Sequence, residues 1–245
     1  MPQSAVALMS GGLDSTTAIA VASHDYDTEV KIGVSVLYGQ RHDREIQSAQ
    51  AVAEHYRIKH CTVDIRGLGD IIKQSSALLN PDEDLPHDRA LSEMTARVPR
   101  SYVPGRNTIM LAIAQSIAEA YDLETIITGF NAVDFSGYPD CRPIFVDAWN
   151  HLARYATRRG YQDQKPILCL APIINSSKAS VVALGREYGA PFELTWSCYE
   201  GGSRACGRCD SCRIRLDAFK ENKMEDPIEY EPRMPYVPAD ERFLD

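Results

Sequence analysis

Apolar and polar positions along this chain switch repeatedly between two periods. Residues 5–9 form a short continuous apolar run of the kind a buried strand shows, and residues 17–22 carry a helix-like pattern. Residues 29–38 read as a second strand. Residues 44–56 read as a helix with Ile46, Ala49, Val52 and Ala53 on one face. Residues 61–65 and 125–129 read as further strands, and residues 107–121, 143–159 and 177–188 as further helices. Strands alternating with helices predict an α/β fold, a parallel sheet with helices on both faces. In such sheets ligands sit beyond the carboxyl ends of the strands. Residues 74–106 show little periodicity, and so long a connection in a compact domain is often a lid or a binding loop. Four prolines, Pro227, Pro232, Pro235 and Pro238, predict an extended arm at the end.

The loop after the first strand is Ser10-Gly11-Gly12-Leu13-Asp14-Ser15-Thr16. Adjacent glycines let a backbone approach a ligand closely. The helix that follows presents unpaired N–H groups and the positive end of its dipole. Together these make a phosphate cradle, with Leu8 and Met9 leading in and Thr17 and Ala18 leading out. The loop has no Gly-Lys-Ser/Thr ending and no Gly-x-Gly-x-x-Gly. A plain Gly-containing turn would account for a lone glycine pair. A hydroxyl-rich loop with an acid, directly after the first strand, favours phosphate.

Other strand ends carry chemistry too. Tyr38-Gly39-Gln40-Arg41-His42 follows the second strand, so Gln40 falls at the ligand edge. Arg106 and Asn107 open a helix and either meet an anion there or act as a solvated charge and an N-cap. Residues 129–142 follow a buried strand and hold Asn131, Asp134, Tyr138, Asp140 and Arg142. A carboxylate suits the donor edge of a guanine-like base and a tyrosine ring gives a stacking face, so these five are substrate-side candidates. Lys178 opens a helix, where a cation opposes the dipole unless a phosphate lies between.

Composition then narrows the class. The 245 residues, 44% of them apolar, fit one α/β domain with a modest appendage. The net charge of −8 disfavours gripping a nucleic-acid backbone. No charged-then-apolar leader and no membrane-length apolar run appear, so the expectation is a cytoplasmic protein with no membrane partner. Of seven cysteines, Cys198, Cys206, Cys209 and Cys212 lie together as C-x7-C-x2-C-x2-C. Four thiolates with this spacing predict a closed structural Zn²⁺ site, with an iron–sulfur cluster as the rival.

The Ser-Gly-Gly-x-Asp-Ser loop resembles the pyrophosphate loop of the N-type ATP pyrophosphatases. Tyr-Gly-Gln-Arg-His, Gly-Arg-Asn, Asp-Phe-Ser-Gly-Tyr-Pro-Asp-Cys-Arg, Ser-Lys, Thr-Trp-Ser-Cys-Tyr and Cys-Gly-x-Cys-Asp-Ser-Cys follow in order. Together they resemble the 7-cyano-7-deazaguanine synthases of queuosine biosynthesis, with Ser180 standing where an acidic residue is expected. The resemblance implies a Rossmann-like, adenine nucleotide α-hydrolase-like sheet. It implies that 7-carboxy-7-deazaguanine, ATP with Mg²⁺ and ammonia are the substrates, through an activated carboxylate and an amide. It also implies a homodimer that does not bind nucleic acid directly. On that basis Ser10, Gly11, Gly12, Leu13, Asp14, Ser15 and Thr16 hold the pyrophosphate, flanked by Leu8, Met9, Thr17, Ala18 and Gln40. Asp14, Lys178 and Arg106 are then the catalytic candidates. The parts are residues 1–190 for the ATP-binding domain, 191–225 for the zinc segment and 226–245 for the tail. The competing readings are a tRNA-modifying ligase built on the same loop and a zinc-ribbon nucleic-acid module. Arg204, Arg208, Arg213 and Arg215 lie near the cysteines, but the second of these readings leaves residues 10–16 unexplained.

Overall fold

The computed structural model describes residues 2–40, 43–80, 82–83, 87, 98–131 and 138–232. Five strands, β1 (Gln3–Leu8), β2 (Thr28–Leu37), β3 (Lys59–Asp64), β4 (Thr125–Ile127) and β5 (Leu168–Leu170), form a sheet in the order β3-β2-β1-β4-β5. All four pairings are parallel. The helices among the described residues are α1 (Leu13–Asp25), α2 (Arg44–Tyr56), α3 (Arg66–Ile72), α4 (Arg106–Ala120), α5 (Pro143–Ala156), α6 (Arg158–Tyr161), α7 (Lys178–Glu187) and α8 (Asp210–Glu221).

The period-2 alternation of β1 sets up three layers. Ala5, Ala7 and Met9 join Val52 of α2, Val181 of α7 and Phe219 of α8 around α1 on one face. Val6 joins Val34, Ile126, Leu111 of α4 and Trp149 of α5 on the other. The α/β reading of the sequence therefore holds, with helices covering both faces. The order runs outward from β1 in both directions, so the chain reverses at the β1/β4 junction. Crevices at such a junction are where these sheets bind ligands.

Element ends differ from the sequence reading for local reasons. The helix expected over 143–159 stops at Ala156, because Thr157 is extended (φ −125°, ψ 154°). Its hydroxyl donates to the Ala153 carbonyl and accepts from the Gly160 N–H, ending one helix and capping α6. Strand β5 is only three residues long, too short to show a period. Helix α8 gave no apolar stripe because its buried face includes Asp210 and Arg215 beside Ala218 and Phe219. The long connection packs Ala77, Leu78, Leu79 and Val103 against Tyr38, Ile72 and Tyr199 over the carboxyl end of the sheet.

Candidate active site

A pocket of about 270 Å³ opens at the β1/β4 junction, above the carboxyl ends of the strands. Its floor is the loop between β1 and α1. Gly11 sits at φ +74°, and a Cβ there would collide with the Glu45 carbonyl oxygen and with the Ala49 nitrogen. Any other residue would push the loop off α2. A Cβ at Gly129, just after β4, would come within 2.7 Å of the Ser15 nitrogen. The second strand end thus closes on the loop only because it lacks a side chain.

Helix α1 starts at Leu13, inside the glycine loop, so Asp14, Ser15 and Thr16 belong to its first turn. The N-cap Gly12 has no side chain to satisfy the first N–H groups. The hydroxyls are turned inward instead. Ser10 Oγ accepts from the Gly12 N–H (3.2 Å), and the Ser15 and Thr16 hydroxyls donate to the Gly12 carbonyl (3.2 and 2.9 Å). The N-terminus of α1 faces the pocket with its dipole uncapped, an arrangement suited to an anion.

Lys178, the first residue of α7, meets Asp14 across the pocket, its Nζ lying 2.7 and 2.6 Å from the two carboxylate oxygens. The lysine opposing its own helix dipole is therefore balanced by the loop's acid. Deeper in, the Arg106 guanidinium lies between two phenol rings, 5.6 Å from the Tyr38 centroid and 5.9 Å from that of Tyr138. Its Nη1 donates to the Tyr38 hydroxyl at 3.4 Å. Tyr138 is fixed in turn by a 2.7 Å hydrogen bond with Ser101. Half-buried Glu45 of α2 also lines the pocket. Burial raises its carboxyl to about 7, with Arg106 pulling the other way.

The pocket gathers Leu8, Met9, Ser10, Gly12, Leu13, Asp14, Ser15, Gln40, Arg106, Tyr138 and Lys178 from the sequence candidates. Gly11 packs under the loop. Thr16, Thr17 and Ala18 are at most 1% exposed and lie in the core rather than on the pocket wall. Asn131, Asp140 and Arg142 do not line it either. Asp140 instead caps α4. Its Oδ2 accepts from the Asn107 N–H (3.1 Å), and Asn107 Nδ2 donates to the Asp140 carbonyl (3.2 Å). Arg142 is exposed and donates to the Pro139 carbonyl. Asp134 lies outside the described residues. Glu45, Ser197, Tyr199 and Arg215 also line the pocket, though the sequence did not single them out as site residues. Glu45 was hidden as an ordinary first-turn acid on a helix.

The last wall comes from the cysteine segment. Trp196 N–H donates to the Gly11 carbonyl at 2.8 Å, tying that segment to the glycine loop. The sulfurs of Cys198, Cys206, Cys209 and Cys212 lie within 4.8 Å of one another, and Cys206 and Cys212 are 3.9 Å apart. The Cys209 N–H and the Arg208 N–H both donate to Cys206 Sγ. Four converging sulfurs with such N–H donors can hold a metal ion. Arg215, only 1% exposed, locks the segment to the core. It pairs with Asp226 at 2.6 and 2.9 Å and donates to Thr195 Oγ1 and the Phe192 carbonyl.

Comparison with known proteins gives the family. A family described as "Queuosine biosynthesis protein QueC" matches residues 4–223. The 7-cyano-7-deazaguanine synthase of Nostoc punctiforme is 47% identical over 229 residues, covering 92% of this chain and 99% of the relative. The enzyme of that name from Acinetobacter baylyi is 40% identical over 233 residues, covering 94% and 96%. Among solved structures, NMN synthetase from Francisella tularensis superposes with a TM-score of 0.45 at 14% identity, covering 91% of this chain and 78% of that one. With the family match spanning nearly the whole chain, the protein belongs to the queuosine-biosynthesis family whose members include the 7-cyano-7-deazaguanine synthases.

Proposed function

We propose that this enzyme converts 7-carboxy-7-deazaguanine and ammonia into 7-cyano-7-deazaguanine, using ATP to activate the carboxylate. The observation that carries the reading is the Asp14–Lys178 pair held over the uncapped N-terminus of α1. A carboxylate is a poor electrophile because its leaving group is oxide. Transfer of AMP to one oxygen creates a good leaving group and releases pyrophosphate. Ser10, Gly12, Leu13, Asp14 and Ser15 would form the phosphate cradle, with the unpaired N–H groups of the first turn of α1 facing the anion, and Mg²⁺ carried with ATP would offset phosphate charge. Lys178 would leave Asp14 to neutralise charge that develops as the bond to the β-phosphate breaks. Arg106, in its cage of tyrosines, would hold the substrate carboxylate, and Tyr138 would offer a face to the deazaguanine ring. Ammonia then displaces AMP to give the amide. Loss of the remaining oxygen and two N–H protons gives the nitrile.

We assign the cysteine site to a single structural Zn²⁺. Zinc–sulfur bonds of about 2.3 Å put tetrahedral sulfurs roughly 3.8 Å apart, close to the 3.9 Å between Cys206 and Cys212. A cluster of several irons would spread the four thiolates more widely. All four ligands are protein thiolates, so the ion has no open position for substrate. Its part is to hold Trp196, Ser197 and Tyr199 against the pocket. The divisions 1–190 and 191–225 follow this split of roles. No helix among the described residues is long and apolar enough to cross a membrane. Small-molecule substrates and a homodimeric, cytoplasmic enzyme complete the reading.

The test is incubation with ATP, Mg²⁺, ammonium and 7-carboxy-7-deazaguanine, read by mass spectrometry with each component omitted in turn. The expected result is nitrile only in the complete mixture, and none from Asp14→Ala with its melting point kept. ATP consumption without nitrile would point to a different acid substrate. Full activity of Asp14→Ala would remove the assigned loop from the chemistry.

A further inference from the structure

Resting on that reading, we propose that Glu45 is the group that receives ammonium and takes its proton, so that neutral ammonia attacks the activated carboxylate. Ammonia reaches the site near neutral pH almost wholly as ammonium, which has no lone pair to donate. The reaction therefore needs an acceptor for one proton beside the reacting carbon, and among the residues assigned above none has that role.

Three features of Glu45 meet the need. The first is position. Glu45 lies in the first turn of α2, and its carbonyl oxygen occupies the space a Cβ on Gly11 would need, so this turn rests directly on the glycine loop. The activated carbon is joined through one oxygen to the α-phosphorus, next to the pyrophosphate that the loop would hold, and Glu45 lines the same pocket as the loop. The second is surroundings. Glu45 faces the pocket with Arg106 and Tyr38, and the other charged groups of the wall are Asp14, Lys178 and Arg215. Asp14 and Lys178 neutralise each other, and Arg215 is held by Asp226. Among the described residues no hydrogen bond or ion pair within 4 Å is made by the Glu45 carboxylate. A half-buried acid without a partner is costly and gains from a cation. The third is chemistry. Burial raises the carboxyl to about 7, near the pH at which a base both exists in its free form and accepts a proton well.

The step balances as follows. Ammonium transfers a proton to the Glu45 carboxylate, and the nitrogen lone pair forms the C–N bond. The C–O bond to AMP breaks, AMP departs with the electron pair, and the surplus N–H proton goes to solvent. Release of the Glu45 proton resets the residue.

Hydroxylamine gives a direct test, because it is largely neutral at pH 7 and needs no proton removed before it attacks. With wild type, Glu45→Gln and Glu45→Asp, amide plus nitrile from ammonium is measured beside hydroxamate from hydroxylamine. The expected result for Glu45→Gln at pH 7 is a loss of roughly 10²–10⁴-fold with ammonium and little change with hydroxylamine. The ammonium deficit should shrink as pH rises and free ammonia accumulates, and Glu45→Asp should recover part of the rate. A parallel loss with both nucleophiles would overturn the proposal, since it would mean that Glu45 serves activation, substrate binding or folding. So would an unchanged ammonium rate. If wild type makes neither product, the failure lies in the reaction assigned above, and the role of Glu45 falls with it.

Discussion

Asp14 and Lys178 show how much a single pair can settle. Each is a common surface residue in sequence, and a lysine at a helix start is unfavourable by itself. Brought together at 2.6 Å, with side chains 25% and 16% exposed, they form a charge pair beside the N-terminus of α1. Glu45 is the opposite case, an acid in a region where its charge is poorly tolerated. An acid whose folded-state value is raised has a sign that can be checked. Between the unfolded value near 4.3 and about 7, the folded chain binds the extra proton, so stability falls as pH rises through that window. Above it the penalty is constant. Glu45→Gln should therefore melt above wild type at pH 8, by roughly 2–4 °C, the size of an effect of about 1 kcal/mol in a chain of this length. The gap should close near pH 4. Thermal melts across this range check it, and a variant that melts lower at pH 8 would show that the carboxylate is stabilising.

Among the elements, β1, β2, α2 and α7 were legible because each carries a clean period and a clear boundary. Helix α2 falls at the residues expected, and α7 begins right after Ser177, whose hydroxyl accepts from the Ser180 N–H at 3.1 Å. Helix α8 was not legible, because an arginine occupies its buried face. Arg215 is tolerated there through Asp226, whose side chain is 2% exposed, and Asp226 also accepts from Tyr230. A period-based reading treats such a residue as solvent-facing and loses the stripe. The cysteine segment that precedes α8 was legible because four thiols at such tight spacing in a single chain segment are the donor set of a metal ion. Metal binding and folding should be coupled there. Cys209→Ser is expected to lose metal binding and to lower the melting point. Because Trp196 ties this segment to Gly11, ATP turnover should fall with it. Retained metal with an unchanged melt would show that the four sulfurs do not form one site.

For the whole molecule, the strand order did what sequence could only anticipate. The alternation of strands and helices implied that the loops at 10–16, 38–42 and 106–107 lie at one edge, and the sheet brings Ser10, Gln40 and Arg106 into one pocket. The stretch 129–142 is harder to read. A dense set of polar residues there suggests substrate contacts; of these Tyr138 lines the pocket, Asp140 Oδ2 accepts from the N-terminus of α4 and Arg142 is exposed. Loop chemistry and helix capping draw on the same residue types, and only tertiary placement separates them. What unites the pocket is one chemical demand. The nitrile group of the product carries no oxygen, so both oxygens of the substrate carboxylate must depart, each needing a good leaving group. In the proposed mechanism the glycine loop, Lys178 and Arg106 provide one by way of phosphorus. The decisive measurement is therefore turnover of 7-carboxy-7-deazaguanine carrying ¹⁸O in its carboxylate, followed by mass analysis of the nucleotide and phosphate products. The expected result is ¹⁸O in the phosphoryl group of AMP, with unlabelled pyrophosphate. Label in orthophosphate beside ADP, or label found only in water, would contradict activation by adenylation in this pocket.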